Sequence, residues 1–303
     1  MQHRRVVLGV LSLFLFVAAG AALTFVFFTD INATQTAQET DTYGMNQAGV
    51  IAGDYVDGNG VQHGMLLTSL ATLVPKLTTI DRADCVTSPS STTIAFYAVN
   101  TSGVAAGWCT KADSTVIGFT WAKGQFTDVT IPGSTFVEAI GINDAGAVVG
   151  TYKDANAAQH GFLLVGSTVT TLDPPGTVST DTAWGINNAG VITIYGIDAN
   201  GAYVSFTTAD QGKTYTPFHD PNEGTLGTAI HQINNHGDII ATVFDASNNR
   251  HAVLYHAGQY NDFDDPNGVG TTRGVGLNDN LVLVGRYGSG VYGGIGFQTL
   301  AKP

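Results

Sequence analysis

The chain has 303 residues, of which 44% are hydrophobic and 12% charged, with 12 basic and 24 acidic residues and a formal net charge of -12. The hydrophobic fraction excludes a disordered chain, and the acidic balance excludes a nucleic-acid-binding protein, which needs a basic surface. The 38 glycines, together with many Thr, Val, Tyr and Phe residues, predict short strands joined by tight turns and hence an all-β protein.

The N-terminus holds an uncharged apolar run over residues 6–28, directly after Arg4 and Arg5. We favour a secretory signal peptide over residues 1–21, with an apolar core from 6 to 17 and small residues at the cleavage site near Ala21. The alternative is a membrane anchor over 6–28, for which the run is long enough. The first reading predicts a secreted or periplasmic protein, and the second a protein anchored to the inner membrane.

Six copies of one motif follow at spacings between 43 and 54 residues, a period typical of repeat architectures. Each copy places an Asn after a β-rich run, and five copies have Gly three residues later. Asn and Gly suit the first and fourth positions of a tight turn. A phosphate loop would need a helix after the glycines, and none of the copies offers one. We therefore interpret these residues as structural turns: Asn46 and Gly49, Asn100 and Gly103, Asn143 and Gly146, Asn187 and Gly190, Asn234 and Gly237, and Asn278.

The third copy predicts four strands, at residues 138–142, 147–153, 160–165 and 168–173, which together form one antiparallel propeller blade. Repeats starting near residues 40, 95, 138, 182, 229 and 273 predict a single six-bladed β-propeller over 22–303, and a β-solenoid is the alternative. Residues 24–32 align with the fourth strand of a copy, whereas the sixth copy lacks one. We expect this N-terminal strand to complete the last blade and close the ring.

The third copy reads AIGINDAGAVVGTY, then HGFLL and TTLDPPG. These segments resemble the HAF repeat of bacterial extracellular proteins, and the resemblance covers about residues 24–303. It implies a β-propeller fold and export, and it implies no catalytic residue and no cofactor. The fourth and sixth copies depart furthest from the pattern, since both lack the His of HGFLL and the sixth also lacks the turn Gly.

Three histidines, His63, His160 and His251, occupy one repeat position in alternate copies and are weak candidates for a metal site. Their position falls on the third strand, about 10 Å from the innermost one, so we favour a packing role. Residues 54–60 resemble part of a calcium loop but lack its bidentate Glu. Cys85 and Cys109, the two cysteines, are candidates for a disulfide in an exported chain. We expect no metal and no cofactor.

The leading functional hypothesis is an exported non-enzymatic scaffold that binds a protein, glycan or cell-surface ligand. The binding segments are the loops that vary between blades, at 81–95, 174–182, 219–229 and 262–273. The alternative is a hydrolase or lyase, which would need a non-periodic polar cluster near the axis. We find no such cluster, because Glu138 and Glu223 are isolated. We expect a monomer with no nucleic-acid partner, in contact with a membrane only if residues 6–28 are retained.

Overall fold

The computed structural model describes residues 15–18, 21–27, 39–68, 76–86, 93–266, 268–288 and 295–299, and within them the chain forms strands and no helix. The first two strands make an N-terminal hairpin, β1 (Leu15–Ala18) and β2 (Ala21–Phe27). No helix among these residues is long and apolar enough to cross a membrane.

Five blades of four antiparallel strands follow in chain order. Blades two to five are separate four-stranded sheets, whereas blade one belongs to a nine-stranded sheet that also contains the N-terminal hairpin and the last three strands, joined by a parallel bridge between Ile295 and Thr40. Blades one and two contain β3 (Glu39–Met45), β4 (Val50–Val56), β5 (Gln62–Thr68), β6 (Leu77–Ile80), β7 (Ile94–Val99), β8 (Ala105–Thr110), β9 (Val116–Ala122) and β10 (Gln125–Val129). Blades three and four contain β11 (Val137–Ile142), β12 (Val148–Lys153), β13 (Gln159–Val165), β14 (Thr168–Leu172), β15 (Ser179–Ile186), β16 (Ile192–Ile197), β17 (Tyr203–Thr208) and β18 (Thr216–Phe218). Blade five contains β19 (Thr228–Ile233), β20 (Ile239–Phe244), β21 (Arg250–His256) and β22 (Gln259–Phe263).

A partial sixth blade contains β23 (Arg273–Leu277), β24 (Leu283–Tyr287) and β25 (Ile295–Thr299). Strand β2 pairs antiparallel with β25, placing Phe25 opposite Thr299 and Phe27 opposite Phe297. The predicted N-terminal strand at 24–32 is thus a strand at 21–27, and residues 28–32 lie outside the described ranges.

The predicted propeller of four-stranded antiparallel blades is confirmed, and antiparallel pairing in every blade shows that the β-solenoid alternative was wrong. The bounds predicted for the third blade agree with β11 to β14 within one residue. They agree because apolar alternation interrupted by turn residues is a local signal, which needs no knowledge of the neighbouring blades.

The first strand of each blade is the innermost and packs against the first strand of the next blade. A Cβ at Gly141 would lie 2.7 Å from the carbonyl oxygen of Trp184 in β15. A Cβ at Gly276 would lie 2.8 Å from the carbonyl oxygen of Tyr43 in β3. The strands approach so closely at these positions that only glycine fits without a shift of the backbone.

The repeated asparagines link successive blades, and we call these six residues the asparagine belt. Each of the first five donates a hydrogen bond from Nδ2 to the backbone carbonyl of the next asparagine, at 3.0 to 3.2 Å. In all six, Oδ1 accepts the backbone N–H four residues later, as in Val50 to Asn46 at 2.8 Å. The side chain therefore caps its own turn and bonds to the neighbouring blade.

The residue three after each asparagine closes the turn by donating its N–H to the asparagine carbonyl, at 3.0 to 3.2 Å. The five glycines at this position have φ between +78° and +86°, and Leu281 takes their place in the sixth copy with φ +56°. Glycine adopts this left-handed conformation without steric cost, which explains its recurrence.

We predict that Asn143→Ala lowers the free energy of unfolding by about 2 to 4 kcal/mol, because it removes two buried hydrogen bonds and leaves their partners unsatisfied. Asn143→Asp keeps the turn acceptor but loses the Nδ2 donor facing the Asn187 carbonyl. It should therefore destabilise the fold by a similar amount in chemical denaturation. An Asp variant as stable as the wild type would show that the belt contributes nothing beyond the turn.

Gly146→Ala is the milder control, since its Cβ meets no atom within 4 Å and only φ strain of about 1 kcal/mol applies.

Candidate functional site

The two ends of the propeller axis differ. The end that carries the asparagine turns, the turn face, has a shallow depression of about 40 Å³ lined by the belt and its neighbours. The first strand of each blade runs towards the turn face and the second runs away from it, so the turns between second and third strands lie at the opposite end. The loops between blades lie at the same end, which we call the loop face. The loops predicted to bind ligand lie on this loop face.

A cavity of about 370 Å³ opens between blades two, three and four, and we call it the axial cavity. Five of its lining residues come from innermost strands, which places it beside the axis. Its full lining is Tyr97, Glu138, Ile140, Gln159, Thr182, Trp184, Tyr195, Ile197 and Tyr203. Its volume lies in the range of small-molecule sites, and its mixture of aromatic walls with few polar groups is typical of them.

Aromatic rings in mutual contact form the wall of the axial cavity. The ring centroids of Tyr97 and Trp184 are 5.5 Å apart, and those of Tyr195 and Tyr203 are 5.6 Å apart. Trp184 lies 6.1 Å from Tyr195. These contacts hold the rings in place before any ligand arrives, which lowers the entropy lost on binding.

Glu138 is the acidic residue of the axial cavity. Burial raises the pKa of its carboxyl group to about 7, although nearby Lys153 acts to lower it. Among the described residues, none donates a hydrogen bond to this carboxylate. The amide of Gln159 and the hydroxyl of Thr182 also line the cavity. The cavity thus offers hydrogen-bonding groups close to apolar ring faces.

Charged groups continue across the axis towards blades one and six. Tyr43 stacks on Tyr97 with 4.1 Å between ring centroids, and the Arg286 guanidinium lies 5.3 Å from the Tyr43 centroid. Arg286 donates to Asp41 Oδ2 at 2.5 Å. Burial acts to lower the pKa of Arg286, but Tyr43 and Asp41 raise it, so the guanidinium stays charged.

His231 of blade five also faces this region. Its ring lies 4.6 Å from Trp184, and Nε2 is 3.1 Å from Thr242 Oγ1. Burial, with smaller effects of Arg273 and Arg286, lowers the pKa of His231 to about 3. The ring is therefore neutral at physiological pH, and it packs as an aromatic group.

The sequence-based conclusion that no non-periodic polar cluster lies near the axis was wrong. The residues of this polar cluster occupy repeat positions at which the six copies differ. An alignment based on the residues that recur therefore does not detect them. The position five before the asparagine reads Asp41, Ala95, Glu138, Thr182, Ala229 and Arg273, and the position eight after it reads Asp54, Trp108, Thr151, Tyr195, Thr242 and Arg286. In every blade, the strand register places the residue from the first position directly opposite the residue from the second position. The sequence signal that could have revealed this cluster is the change of charge between copies at two paired positions of an otherwise regular repeat.

The three candidate histidines lie in separate blades, and each bonds to the aspartate that follows its own fourth strand. The Nδ1 to carboxylate distances are 2.9 to 3.0 Å for His63–Asp81, His160–Asp173 and His251–Asp264. Within the described ranges, no group of three or more His, Cys, Asp or Glu side chains is placed to hold a metal ion. The calcium-like loop is a turn in which Asp57 Oδ1 accepts the N–H groups of Asn59 and Val61, both at 2.9 Å.

Cys85 and Cys109 form a disulfide with 5.9 Å between their Cα atoms. It ties the loop between blades one and two to β8, beside the isolated bridge between Cys85 and Lys111. Glu223 accepts a hydrogen bond from the Thr228 hydroxyl at 2.6 Å. These contacts hold the loops between blades in place.

A second hollow, the inter-blade groove, lies on the loop face between blades three and four and measures about 590 Å³. His160, Asp173 and Asp181 line it together with the predicted loop at 174–182. Burial raises the pKa of Asp181 to about 7. The groove has no aromatic side chain other than His160, so it offers a ligand less apolar surface than the axial cavity does.

Comparison with known proteins gives structural matches alone: no family model matches the chain, and no curated protein matches it in sequence. A mutant of AofleA from Arthrobotrys oligospora has a TM-score of 0.54 at 11% identity, covering 94% of this chain and 88% of that one. A mutant Aleuria aurantia lectin in complex with α-methyl-L-fucoside has a TM-score of 0.54 at 12% identity, covering 89% and 93%. The described chain folds as a β-propeller. Trypanosoma rangeli sialidase matches it with a TM-score of 0.50 at 9% identity, covering 95% of this chain and 57% of the sialidase.

We predict that Glu138 makes stability depend on pH. Its folded-state pKa of about 7 exceeds the ordinary value of 4.5, so its stabilising contribution is complete below about pH 4.5 and is lost as pH rises through 7. The free energy of unfolding of Glu138→Gln, relative to wild type, should therefore rise by roughly 1 to 3 kcal/mol between pH 4 and pH 8. Denaturation at both pH values measures this difference. An equal difference at the two values would contradict the assigned burial of the carboxyl group.

Proposed function

We propose that the protein is a non-enzymatic β-propeller that binds a glycan in the axial cavity. The carrying observation is the rigid wall of Tyr97, Trp184 and Tyr195 beside the hydrogen-bonding groups of Glu138 and Gln159. A sugar ring has an apolar face of C–H groups and an edge of hydroxyl groups. An aromatic wall beside polar groups complements both.

The structural matches support this proposal at the level of the fold. One of them is a lectin in complex with α-methyl-L-fucoside, so a propeller of this kind can bind a saccharide. The identity of 12% carries no residue over to this chain. The choice of the axial cavity therefore rests on its own lining and on its rigid aromatic contacts.

A hydrolase or lyase is the second candidate, and Glu138 is the observation that favours it. A carboxyl group with a pKa of about 7, facing a cavity without a bound donor, has the protonation behaviour of a general acid or base. We rank binding first because the described residues place no second carboxylate in the lining of the same cavity. A glycosidase normally needs a pair of carboxylates.

We predict that Trp184→Ala weakens glycan binding at least tenfold, because it removes the central ring of the aromatic wall. An array of neutral and charged glycans would identify a ligand, and calorimetry would compare its affinity between variants. Trp121→Ala is the matched control, since Trp121 lies in β9 and is not among the residues that line the axial cavity, and it should retain binding.

Glu138→Gln separates the two candidate functions. A binding protein should keep its affinity within a few-fold and release no sugar from the ligand. An enzyme would lose turnover in this variant while the wild type cleaves the ligand. Absence of any glycan ligand for the wild type, or equal losses in both tryptophan variants, would contradict the proposed function.

We also propose that the propeller is a closed ring of six blades, with β2 as the fourth strand of the last blade. The pairing of β2 with β25 supports this proposal. So do contacts between blades one and six, where Thr42 Oγ1 donates to the Gly285 carbonyl at 2.7 Å and the Asp279 N–H donates to Gln47 Oε1 at 2.7 Å.

Removal of β2 tests this closure. A chain starting at Gln38 should melt at a markedly lower temperature than one starting at Ala22, or aggregate, because β25 would become an exposed edge strand. Equal melting temperatures for the two chains would contradict closure by the N-terminal strand.

We propose, finally, that the chain is an exported member of the HAF-repeat family, and that cleavage near Ala21 precedes folding. The disulfide supports an oxidising compartment, and the pairing of β2 with β25 involves only residues 25–27, which such cleavage would leave in place. N-terminal sequencing of the protein from its native host tests this proposal. A retained residue 1 in the exported protein would favour the anchor over 6–28.

A further inference from the structure

Three of the six arginines of this acidic chain lie together on blades five and six. Arg273 and Arg286 are directly opposite each other on β23 and β24. Arg250 is the first residue of β21. It forms an isolated β-bridge with Thr271, which lies two residues before Arg273 in the chain. Like charges placed opposite each other on neighbouring strands destabilise a sheet, so packing alone gives no reason for this arrangement.

The two paired arginines differ in their partners. Arg286 is neutralised by Asp41. Arg273 is half-buried, and no carboxylate or carbonyl among the described residues accepts a hydrogen bond from it. Burial, together with the charges of Arg286 and Arg250, lowers the pKa of Arg273 to about 10, which leaves the guanidinium charged at neutral pH. A half-buried charge without a counter-ion is costly, and a bound anion would offset this cost.

Arg273 belongs to the surroundings of the axial cavity. It occupies the same repeat position as Glu138 and Thr182, five residues before the asparagine, and therefore the same level of an innermost strand. Arg273 also lies directly opposite Arg286, whose guanidinium is 5.3 Å from the centroid of the Tyr43 ring. Tyr43 stacks on Tyr97 of the cavity wall with 4.1 Å between ring centroids, so the arginine pair lies next to the cavity.

We propose that the axial cavity recognises a glycan that carries a carboxylate, with the carboxylate bound by Arg273 and the sugar ring lying on the Tyr195 and Trp184 side. This inference rests on the proposed glycan-binding function and adds the class of sugar, a uronic or sialic acid. A guanidinium fork matches the two oxygens of a carboxylate. Arg250 adds positive potential near Arg273, within a protein whose net charge of -12 would otherwise repel an acidic ligand.

One guanidinium without a counter-ion favours a monoanion over a phosphate ester. A phosphate monoester carries close to two negative charges at neutral pH, and the carboxyl group of Glu138 lines the same cavity. A singly charged sulfate ester would satisfy the same fork, so the experiment includes one.

The experiment compares acidic sugars with neutral counterparts of the same size, using the full chain. The probe pairs are trigalacturonic acid with its methyl ester, and 3′-sialyllactose with lactose, and lactose 3′-sulfate is the sulfate probe. We expect the carboxylate form of at least one pair to bind at least tenfold more tightly than its neutral counterpart, with an affinity that falls as salt is added.

Arg273→Gln should abolish this preference while the neutral counterpart binds as before. Lys213→Gln is the matched control, because it removes the same charge from an exposed loop position, and it should keep the preference. The melting temperature separates binding from structural roles. Removal of Arg273 relieves repulsion from Arg286 and Arg250, so the variant should melt at the same temperature as the wild type or a higher one.

Three results would overturn the inference: equal binding of the acidic and neutral forms, a preference that survives Arg273→Gln, or tighter binding of the sulfate than of both carboxylates. If neutral glycans bind and Trp184→Ala removes that binding, the proposed function stands even when this inference fails. If none of the probes binds and the wider array also gives no ligand, both fail.

Discussion

The architecture depends on one hydrogen bond that recurs around the axis, from the side-chain amide of a repeat asparagine to the backbone carbonyl of the asparagine in the next blade. It is made five times at 3.0 to 3.2 Å, always between buried residues. Because the same side chain also caps its own turn, the angle of each hairpin and the spacing between blades are set together. An unpaired amide at this depth would cost about 1 to 3 kcal/mol, so the six positions tolerate little change.

That constraint separates the two ends of the molecule. At the turn face, the asparagine belt and the close approach of the innermost strands leave about 40 Å³ of space. At the loop face, the strands carry side chains that take no part in the belt, and these differ from blade to blade. A carboxyl group with a pKa of about 7 and a wall of aromatic rings meet there, and the half-buried Arg273 occupies the same repeat position as that carboxyl group. The repeat thus supplies a rigid frame, and the positions at which its copies differ supply the site.

The fold was readable from the sequence because its signals are local. The spacing of Asn143 and Gly146 predicted a turn, and the strands on either side alternate in the way that strands do. Both cysteines were assigned to a pair on the grounds of their number, and the structure joins them. The axial cavity was not readable, because Tyr97, Glu138 and Tyr195 line it together only when three blades are arranged around an axis. Glu138 was set aside as an isolated acid, since Tyr97 and Tyr195, which line the same cavity, are about 41 and 57 residues away in the chain.

The central claim, that ligand binds at the axis on the loop face, is tested most directly by a crystal structure of the full chain grown with a high concentration of a glycan selected on the array. Our account predicts sugar density in the axial cavity, with the ring on Trp184 and Tyr195 and a polar edge towards Glu138. Density only in the inter-blade groove beside His160 and Asp181, with the axial cavity filled by water alone, would contradict it.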